Sequence, residues 1–500
     1  MIEERLCFSD PLYETISLDW DVPSRLTAFT RDPDVTASGA TPAEIVQTAD
    51  FARLAHLRQA GLAWLVFPSA THTRFSHSIG TWWLGRIAED RVRVTVPTSK
   101  NPVPFGTWLN DTGLRREYYL ALLLHDVGHG PLSHVLENHE GFMNQLKSIG
   151  MDNPEHEQRG VGLLRGSGPL FKAWKRIAAE RYGRDRRVLG EVLVKPTDNA
   201  NQLDLSAIAY LIAGDDRFLR ESRCPDKRTL PIIKEFVSGL LDLDRLDHTA
   251  RDSYFSGLRQ LGVNVTGLLS NLVLDPRIES ESGTRWYLTG EGVGHAASVL
   301  FGRRQLFTTM FHTWRFLSLS AMMHRALTDH LDTFRSSATR AEEMLRILLM
   351  EDEEFLSYLS ASENSSSAFL ATSVRAANPY AFVGRWERDR ISELETAVKD
   401  LTEYSEREYR GGIPQVVLSF DRGFNKTQSL RRYRDLLEAE AFTIAGTEIP
   451  ITSHPDYEAD FAHLYAATQA KYVWVFAKAH GDELTSVKRH IEKILRPVTA

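Results

Sequence analysis

The chain has 500 residues, of which 42% are hydrophobic and 25% are charged, and its formal net charge is −7. This is the composition of an ordinary folded protein, and the length exceeds that of one compact domain. We therefore expect either two domains or one large domain with an appendage. The acidic balance argues against non-specific nucleic-acid binding, which needs a basic surface, but it leaves room for a local basic pocket.

The cysteine and hydropathy patterns predict a cytoplasmic protein. Cys7 and Cys224 are the only thiols, too few for a disulfide framework, which favours a reducing compartment. The first residues are acidic, and no apolar segment of the signal-peptide type follows them. The longest apolar stretches, near residues 61–67 and 118–124, are too short to span a bilayer, so we expect no membrane association.

In chain order, the first predicted element is a turn followed by a short alternating strand over residues 10–18. A helical pattern begins near residue 42 and dominates to about residue 260. Within it, residues 118–127 form a dense apolar helix that runs into His125-Asp126. Glycines and a proline follow directly and should end that helix.

The sequence pattern in the second half of the chain predicts a hairpin, then more helices, and then a region of both strands and helices. The hairpin is expected over residues 270–290 and the helices over 295–349. Residues 360–373 contain six serines, which is typical of a linker or a mobile loop. The strongest strand candidates after it are residues 416–420, 442–444 and 472–476, with a closing helix at 482–495. The predicted fold class is mostly α, a helical core with a small β-hairpin, plus a C-terminal α+β region.

These patterns give an expected domain division. It places a core over residues 1–359, with a motif-bearing part at about 42–260 and the hairpin and its helices at 261–359, then a linker or mobile loop over 360–379, and the α+β region over 380–500. A scaffolding role for the last region is an alternative that the sequence leaves open.

Three short segments hold most of the candidate functional residues: 67–80, 125–134 and 242–252. Each is rich in His or Asp, and imidazole nitrogen with carboxylate oxygen suits a divalent metal such as Fe, Mn, Co, Ni or Zn. Such an ion acidifies bound water and neutralises charge that builds on phosphorus. Each segment alone also fits ordinary core or surface residues. Together they favour a site, because so many ionisable groups beside an apolar helix are costly to bury without a purpose.

The three segments resemble the H…HD…D signature of the HD superfamily. More narrowly, they resemble its deoxynucleoside triphosphate triphosphohydrolases, whose members include a vertebrate enzyme with SAM and HD domains and bacterial relatives. The resemblance covers about residues 8–330. It implies a helical HD-domain core and a divalent ion (Mn, Fe, Mg, Co, Ni or Zn). The implied metal ligands are His77, His125, Asp126 and Asp244.

The same resemblance implies roles for further residues. The positions that match the family's catalytic residues are His129, His134, His156 and Glu157, with Glu157 orienting His156 and Glu137 supporting His134. Histidine is the natural proton donor near neutral pH. The positions that match its substrate contacts are Arg74 and Arg245 for phosphate, Gln59 and Asp252 for the sugar 3′ hydroxyl, and His248 beside the sugar.

The activity implied by this resemblance is metal-dependent hydrolysis of a deoxynucleoside triphosphate to deoxynucleoside and inorganic triphosphate. The resemblance also implies a homo-oligomer, dimeric or tetrameric, with a nucleotide effector. Either nucleotide-pool balance or defence against phage is compatible with it. Two alternatives stay open: a nucleotide phosphatase or phosphodiesterase of the HD type acting on another phosphorylated nucleotide, and a sensor that binds nucleotides without turnover.

Overall fold

The computed structural model describes most of the chain. The described residues are 7–18, 42–151, 153–183, 186–193, 203–239, 242–258, 263–280, 283–289, 292–387, 394–410, 412–420, 442–444 and 472–495. In these ranges, no helix combines the length and the apolar character needed to cross a membrane.

Helices form most of the structure. In chain order they are α1 Pro42–Val46, α2 Ala49–Arg53, α3 Arg74–Arg91, α4 Phe105–Thr112, α5 Arg115–Leu124, α6 His134–Glu137, α7 Glu140–Ser148, α8 His156–Leu164, α9 Gly168–Tyr182, α10 Leu189–Leu193, α11 Leu205–Ala213, α12 Asp216–Glu221, α13 Thr229–Ser238, α14 Leu243–Ser256, α15 Val265–Ser270, α16 Gly292–Leu306, α17 Trp314–Leu331, α18 Ser337–Leu348, α19 Asp352–Ser360, α20 Ser365–Arg375, α21 Leu394–Arg407 and α22 Gly481–Ile494. Short 3₁₀ segments at Leu54–His56 and Gly61–Leu65 lead into α3, and a π turn at Phe307–Phe311 separates α16 from α17.

The strands form four small sheets within the described ranges. In chain order they are β1 Cys7–Asp10, β2 Glu14–Ser17, β3 Arg93–Val94, β4 Val103–Pro104, β5 Leu272–Ser280, β6 Gly283–Leu288, β7 Ala381–Glu387, β8 Tyr409–Arg410, β9 Ile413–Pro414, β10 Val416–Phe420, β11 Phe442–Ile444 and β12 Tyr472–Ala477. The sheet orders are β1-β2, β11-β6-β5-β3-β4, β10-β12-β7 and β8-β9. β5 and β6 pair antiparallel, which is the predicted hairpin.

The core is centred on α5, which packs against α3 and α11, while α3 also packs against α14. Residues 117–124 are all buried, as the dense apolar pattern predicts. Two glycines of α3 allow the neighbouring helices to come this close. A Cβ at Gly85 would overlap the side chain of Leu122, and a Cβ at Gly80 would overlap Arg251 and Asp247. The close packing brings the start of α3, the end of α5 and the start of α14 together.

The serine-rich segment is helical, so its interpretation as a linker or mobile loop is wrong. α20 occupies most of it and packs against α17 and α19. Ser366, Ser367 and Leu370 are buried, and Asn364 caps the helix by accepting a hydrogen bond from the Ser367 backbone. Serine is a small side chain whose hydroxyl can bond locally, so it fits a tight helix interface as well as a loop. The boundaries proposed for the domains stay predictions.

The C-terminal α+β character is confirmed, but one predicted strand lies elsewhere. β7, β10 and β12 form an antiparallel sheet, and buried residues of that sheet, including Val417, Trp474 and Phe476, join the same apolar cluster as α17 and α20. In contrast, β11 pairs in parallel with β6 of the hairpin. Strand pairing depends on which edges are available in space, so a short apolar run does not reveal its partner.

Candidate metal centre and histidine cluster

Three helix ends place the predicted metal ligands. His77 lies in the first turn of α3, whose start is capped by Thr73. His125 follows the last turn of α5, and Asp126 is the next residue. Asp244 lies in the first turn of α14, which begins at a second capped start. Because α3 packs against both α5 and α14, residues far apart in the chain become neighbours.

The four side chains converge, and we call them the metal-ligand cluster. Nε2 of His77 lies 3.0 Å from Oδ1 of Asp244 and 3.2 Å from Nε2 of His125. Asp126 borders the same space, with Oδ2 3.7 Å from Nε2 of His77 and Oδ1 3.6 Å from Nε2 of His125. His77 and His125 are buried, whereas the Asp244 side chain is 33% exposed.

In His77 and in His125, the hydrogen bond made by Nδ1 determines that Nε2 is the nitrogen that faces the centre of the cluster. Nδ1 of His125 lies 2.8 Å from the Leu122 carbonyl oxygen, which can only accept, so this nitrogen carries the proton. Nδ1 of His77 donates to Oδ2 of Asp247 over 2.7 Å. The two Nε2 atoms therefore face one another beside the Asp244 carboxylate, which favours a proton on these nitrogens when no metal ion is bound. Such a donor set needs a cation, and imidazole with carboxylate suits a borderline divalent ion.

The charges at this centre favour a positive ion. Burial alone would lower the pKa of His77, but Asp244 and Asp247 raise it to about 10. Burial opposes the ionised form of Asp126, yet Arg74 and His125 hold the pKa of that carboxyl well below its ordinary value. The residues present therefore fit a divalent metal ion.

Asp247 was not among the predicted site residues, although it supports one of them. Its carboxylate bonds His77 on one side, and Arg251 donates to both of its oxygens at 2.9 and 3.0 Å. The hydroxyl of Tyr13 donates to Oδ1 over 2.8 Å, and Arg251 also pairs with Asp10. The sequence carried a signal for this network, because positions 244, 247 and 251 share one face of a helix.

A second group of side chains lies next to the first. We call His129, His134, Glu137 and His156 the histidine cluster. Glu137 joins two of the rings, with Oε2 2.9 Å from Nδ1 of His134 and Oε1 3.1 Å from Nδ1 of His156. Arg159 holds the same carboxylate by a 2.8 Å bond to Oε1.

Glu157 was expected to orient His156, but Glu137 is closer. Glu157 lies 3.5 Å from Nδ1 of His156, and its side chain is 37% exposed. Chain proximity made Glu157 the obvious partner. The helix α8 instead turns His156 towards α6, and it approaches closely because Gly128 has no Cβ to strike the His156 carbonyl.

His129 connects the two clusters. Its ring is fully buried and stacks on His156 with the centroids 3.7 Å apart, and its Nε2 lies 3.3 Å from Oδ1 of Asp126. Burial, Arg74 and His156 all lower its pKa well below the ordinary value, so His129 is neutral. His156 is the opposite case: burial lowers its pKa, but Glu157 and Glu137 raise it to about 9.

Of the two predicted phosphate-binding arginines, one faces the centre. Arg74 donates from Nη1 to Oδ2 of Asp126 over 2.6 Å and from Nε to Ser133 over 2.9 Å. Its buried Nη2 has no hydrogen-bond partner among the described residues. Arg245 instead donates from Nη1 to Asp242 and to the Gly239 carbonyl. Arg245 would have to leave these partners to contact a phosphate.

The predicted sugar-binding residues are linked through His72, which the sequence had not assigned a role. Nε2 of His72 lies 2.6 Å from Oδ1 of Asp252, and its carbonyl accepts from the backbone of Gln59 over 3.0 Å. Oε1 of Gln59 is buried and has no hydrogen-bond partner in the described ranges. His248 lies beside the group, with Nδ1 3.8 Å from Oδ2 of Asp252. Burial lowers the pKa of His248 to about 4.

The turn before α6 is strained. Leu132 and Ser133 both have φ near 56°, and Ser133 has ψ of −126°, a region that glycine favours. Two hydrogen bonds stabilise this strained conformation. Asp352 accepts from the Leu132 backbone over 2.7 Å, and the Ser133 hydroxyl donates to the Arg58 carbonyl over 2.7 Å. The turn presents His134 at the start of α6.

The chain resembles known proteins in sequence and in structure. No family model matches the chain. It is 29% identical over 218 residues to a Dictyostelium discoideum protein named deoxynucleoside triphosphate triphosphohydrolase SAMHD1 homolog, covering 43% of this chain and 33% of that protein. It is 36% identical over 122 residues to a protein of Acanthamoeba polyphaga mimivirus described as HD domain-containing, covering 23% of this chain and 25% of that protein. An uncharacterized Methanocaldococcus jannaschii protein is 22% identical over 326 residues, covering 64% of this chain and 52% of that protein. The chain thus spans about half or less of the length of these curated relatives.

Two solved structures resemble nearly the whole chain. A phosphohydrolase from Bacteroides thetaiotaomicron has a TM-score of 0.56 at 17% identity and covers 95% of this chain and 100% of its own. A hypothetical protein from Aquifex aeolicus has a TM-score of 0.56 at 16% identity and covers 98% of this chain and 100% of its own. At this identity the likeness shows a shared fold.

The helical fold is shared with a solved phosphohydrolase, and the chain is similar in sequence to a protein described as HD domain-containing. Its sequence relatives also include proteins named deoxynucleoside triphosphate triphosphohydrolases.

Proposed function

We propose that the protein hydrolyses deoxynucleoside triphosphates to deoxynucleoside and inorganic triphosphate. The observation that carries this proposal is the adjacency of the metal-ligand cluster and the histidine cluster, which share Asp126 as a neighbour. One cluster suits a Lewis acid, and the other suits proton transfer to a leaving oxygen. The sequence relatives named as triphosphohydrolases support the choice of substrate.

His77, His125, Asp126 and Asp244 would hold a divalent ion: Mn, Fe, Mg, Co, Ni or Zn. When bound, such an ion supplies a Lewis acid and a water of lowered pKa. The protein's own groups complete the site. Arg74 offers its unpartnered Nη2 to a phosphate oxygen, a contact that guanidinium makes well.

The histidine cluster manages the proton of the leaving 5′ oxygen. His156 is the donor in this scheme, because its pKa of about 9 keeps it protonated at neutral pH. Glu137 and Glu157 stabilise its charge, and neutral His129 stacks beside it. His134 is 56% exposed and would meet the incoming nucleotide. Gln59, Asp252 and His248 would face the sugar, and Arg245 would add phosphate contact after leaving Asp242.

The experiment is product analysis with purified protein, Mn²⁺ and each dNTP and NTP. Triphosphate release from dNTPs supports the proposal, whereas single phosphate release would indicate the alternative, a nucleotide phosphatase of the HD type. Binding without any product would indicate a sensor. The matched variant is Asp126→Ala, expected to lose both metal and turnover, and retained turnover there would contradict the assignment.

We also propose a cytoplasmic homo-oligomer, a dimer or tetramer, that a nucleotide effector regulates. The support is the resemblance to relatives named as triphosphohydrolases and the low cysteine content. Assays with dNTPs singly and mixed test regulation, because an effector makes a mixture active where a single substrate fails. Such an enzyme could serve nucleotide-pool balance or defence against phage.

Truncation before residue 380, followed by assay and sizing, tests whether the C-terminal region acts as a scaffold.

A further inference from the structure

The histidine cluster has the composition of a metal site in its own right. One ligand atom from each of His129, His134, Glu137 and His156 can be chosen so that all four lie within 4.8 Å of one another. Three imidazoles and one carboxylate match the ligand types and the number that Zn²⁺ takes in a tetrahedral site. Asp244 and the other members of the metal-ligand cluster are a separate set of donors.

Neighbouring side chains hold the Glu137 carboxylate of this cluster in position. Oε2 of Glu137 lies 2.9 Å from Nδ1 of His134, and Oε1 lies 3.1 Å from Nδ1 of His156. Arg159 fixes it from outside the cluster, and Arg159 is itself anchored to the carbonyls of Gly128 and Pro154. An outer partner of this kind holds a ligand in one orientation and makes binding less costly.

The ring of His129 supplies the independent observation that points to a ligand. It is fully buried, and neither ring nitrogen makes a hydrogen bond among the described residues, although Nε2 lies 3.3 Å from Asp126. Buried polar atoms without hydrogen bonds cost free energy, and they are uncommon in proteins. The ring lies within the group of four donors, and by turning out of its stack on His156 it could direct one nitrogen at a cation.

The two other rings show how an ion would enter. Nδ1 of His134 and Nδ1 of His156 both point at Glu137, so protons now link three groups that a cation would otherwise link. The His134 side chain is 56% exposed, which gives solvent access to the cluster. A metal ion arriving there replaces protons, as metal binding to imidazole generally does.

We propose that the histidine cluster is a second cation site, that Zn²⁺ binds it through His129, His134, Glu137 and His156, and that this binding inhibits the enzyme. The site itself is independent of the reaction, whereas the inhibition rests on the proposed function. A ring nitrogen bound to zinc cannot carry a proton to the leaving oxygen, so occupation would block the step assigned to His156.

The first test counts zinc and does not depend on activity. Metal-free full-length protein is dialysed against buffered Zn²⁺, and bound zinc is measured by mass spectrometry. The proposal expects His134→Ala and Asp244→Ala each to bind one zinc fewer than wild type, and the double variant two fewer. His56→Ala is the control, because His56 is 58% exposed and lies outside both clusters. If His134→Ala binds as much zinc as wild type, the second site does not exist.

The second test addresses inhibition. Zn²⁺ is added to Mn²⁺-loaded wild type during nucleotide hydrolysis, and bound Mn²⁺ is measured in the same sample. The expected result is loss of turnover while Mn²⁺ stays bound, and no further loss in the residual activity of His134→Ala. Zinc that inhibits only by displacing Mn²⁺ would overturn the inhibitory role. If the protein hydrolyses no nucleotide at all, the proposed function fails, and the zinc count still decides the site.

Discussion

Nδ1 of His77 and Oδ2 of Asp247 form a fully buried hydrogen bond of 2.7 Å. This bond leaves Nε2 of His77 facing His125 and Asp244. It therefore determines that the ring would bind a metal ion through Nε2. Arg251 and Tyr13 hold the Asp247 carboxylate in turn. The chain thus joins its N-terminal turn to its metal-ligand cluster through one aspartate.

Replacing Asp247 should therefore weaken metal binding without removing a ligand. We expect Asp247→Asn to lower the affinity for Mn²⁺ by about 10- to 100-fold, since partners behind a ligating histidine commonly contribute that much. Calorimetric titration of metal-free protein measures it. Tyr13→Phe is the control, because it removes one hydrogen bond to Asp247 and leaves the bond to His77, so its effect should be smaller. Unchanged affinity in a folded Asp247→Asn protein would contradict this role.

Arg53 stabilises the turn that follows α5. Its buried guanidinium donates to the carbonyls of Val127, His129 and Met350 at 3.3, 2.6 and 3.4 Å. Burial lowers its pKa, to about 10, but it stays charged at neutral pH. Arg53→Met should lower the free energy of unfolding by about 3 kcal/mol, because the three carbonyls lose their donor. Urea unfolding followed by circular dichroism tests this.

The control for that variant is Arg91→Met at the exposed end of α3. A surface change of this kind should alter the free energy of unfolding by no more than about 0.5 kcal/mol. Equal losses in the two variants would show that the buried position of Arg53 has no special importance.

The strained backbone at Ser133 gives a paired prediction. Ser133→Ala and Ser133→Gly both remove the hydroxyl that bonds Arg58 and Arg74, but only glycine relieves the backbone at φ 56°. Ser133→Gly should therefore be more stable than Ser133→Ala by about 1 kcal/mol. Thermal and urea unfolding of the two variants side by side measure the difference. If alanine is the more stable of the two, the turn is not strained.

A pH-dependent contribution to stability is expected from Glu343. His330 lies 3.0 Å from its Oε1, and although burial opposes ionisation, His330 and Tyr358 lower the pKa of Glu343 below its ordinary value. An acid with a lowered pKa in the folded state stabilises the fold above its unfolded pKa, and this contribution disappears as pH falls through the folded value. Glu343→Gln should thus be less stable than wild type at pH 7, by about 1–3 kcal/mol.

Urea unfolding of both proteins across a pH series tests that expectation. The difference in the free energy of unfolding should shrink as pH falls below the ordinary glutamate pKa of 4.5. A difference that stays constant down to that range would assign the effect to packing. Glu342→Gln, whose side chain is 72% exposed, is the matched control.

The sequence by itself determined the mostly helical class, the hairpin and the three segments that carry the site. The reason is that helix periodicity, turn residues and short motifs are local, so they can be read without knowing which elements meet. The capacity of His125, Asp126 and Asp244 to bind a metal ion is local in the same sense, because the type of a side chain determines which ions it can bind.

Only the tertiary structure decided which neighbours support those residues. Glu137 rather than Glu157 binds both His134 and His156, because the start of α8 packs closely against the glycine at 128. The serine-rich stretch became a buried helix once α17 covered it, and β11 joined the hairpin because an edge of β6 was available. These outcomes depend on packing between segments that are distant in the chain. The free energy of that packing comes from complementary shape and burial, which a local sequence pattern does not predict.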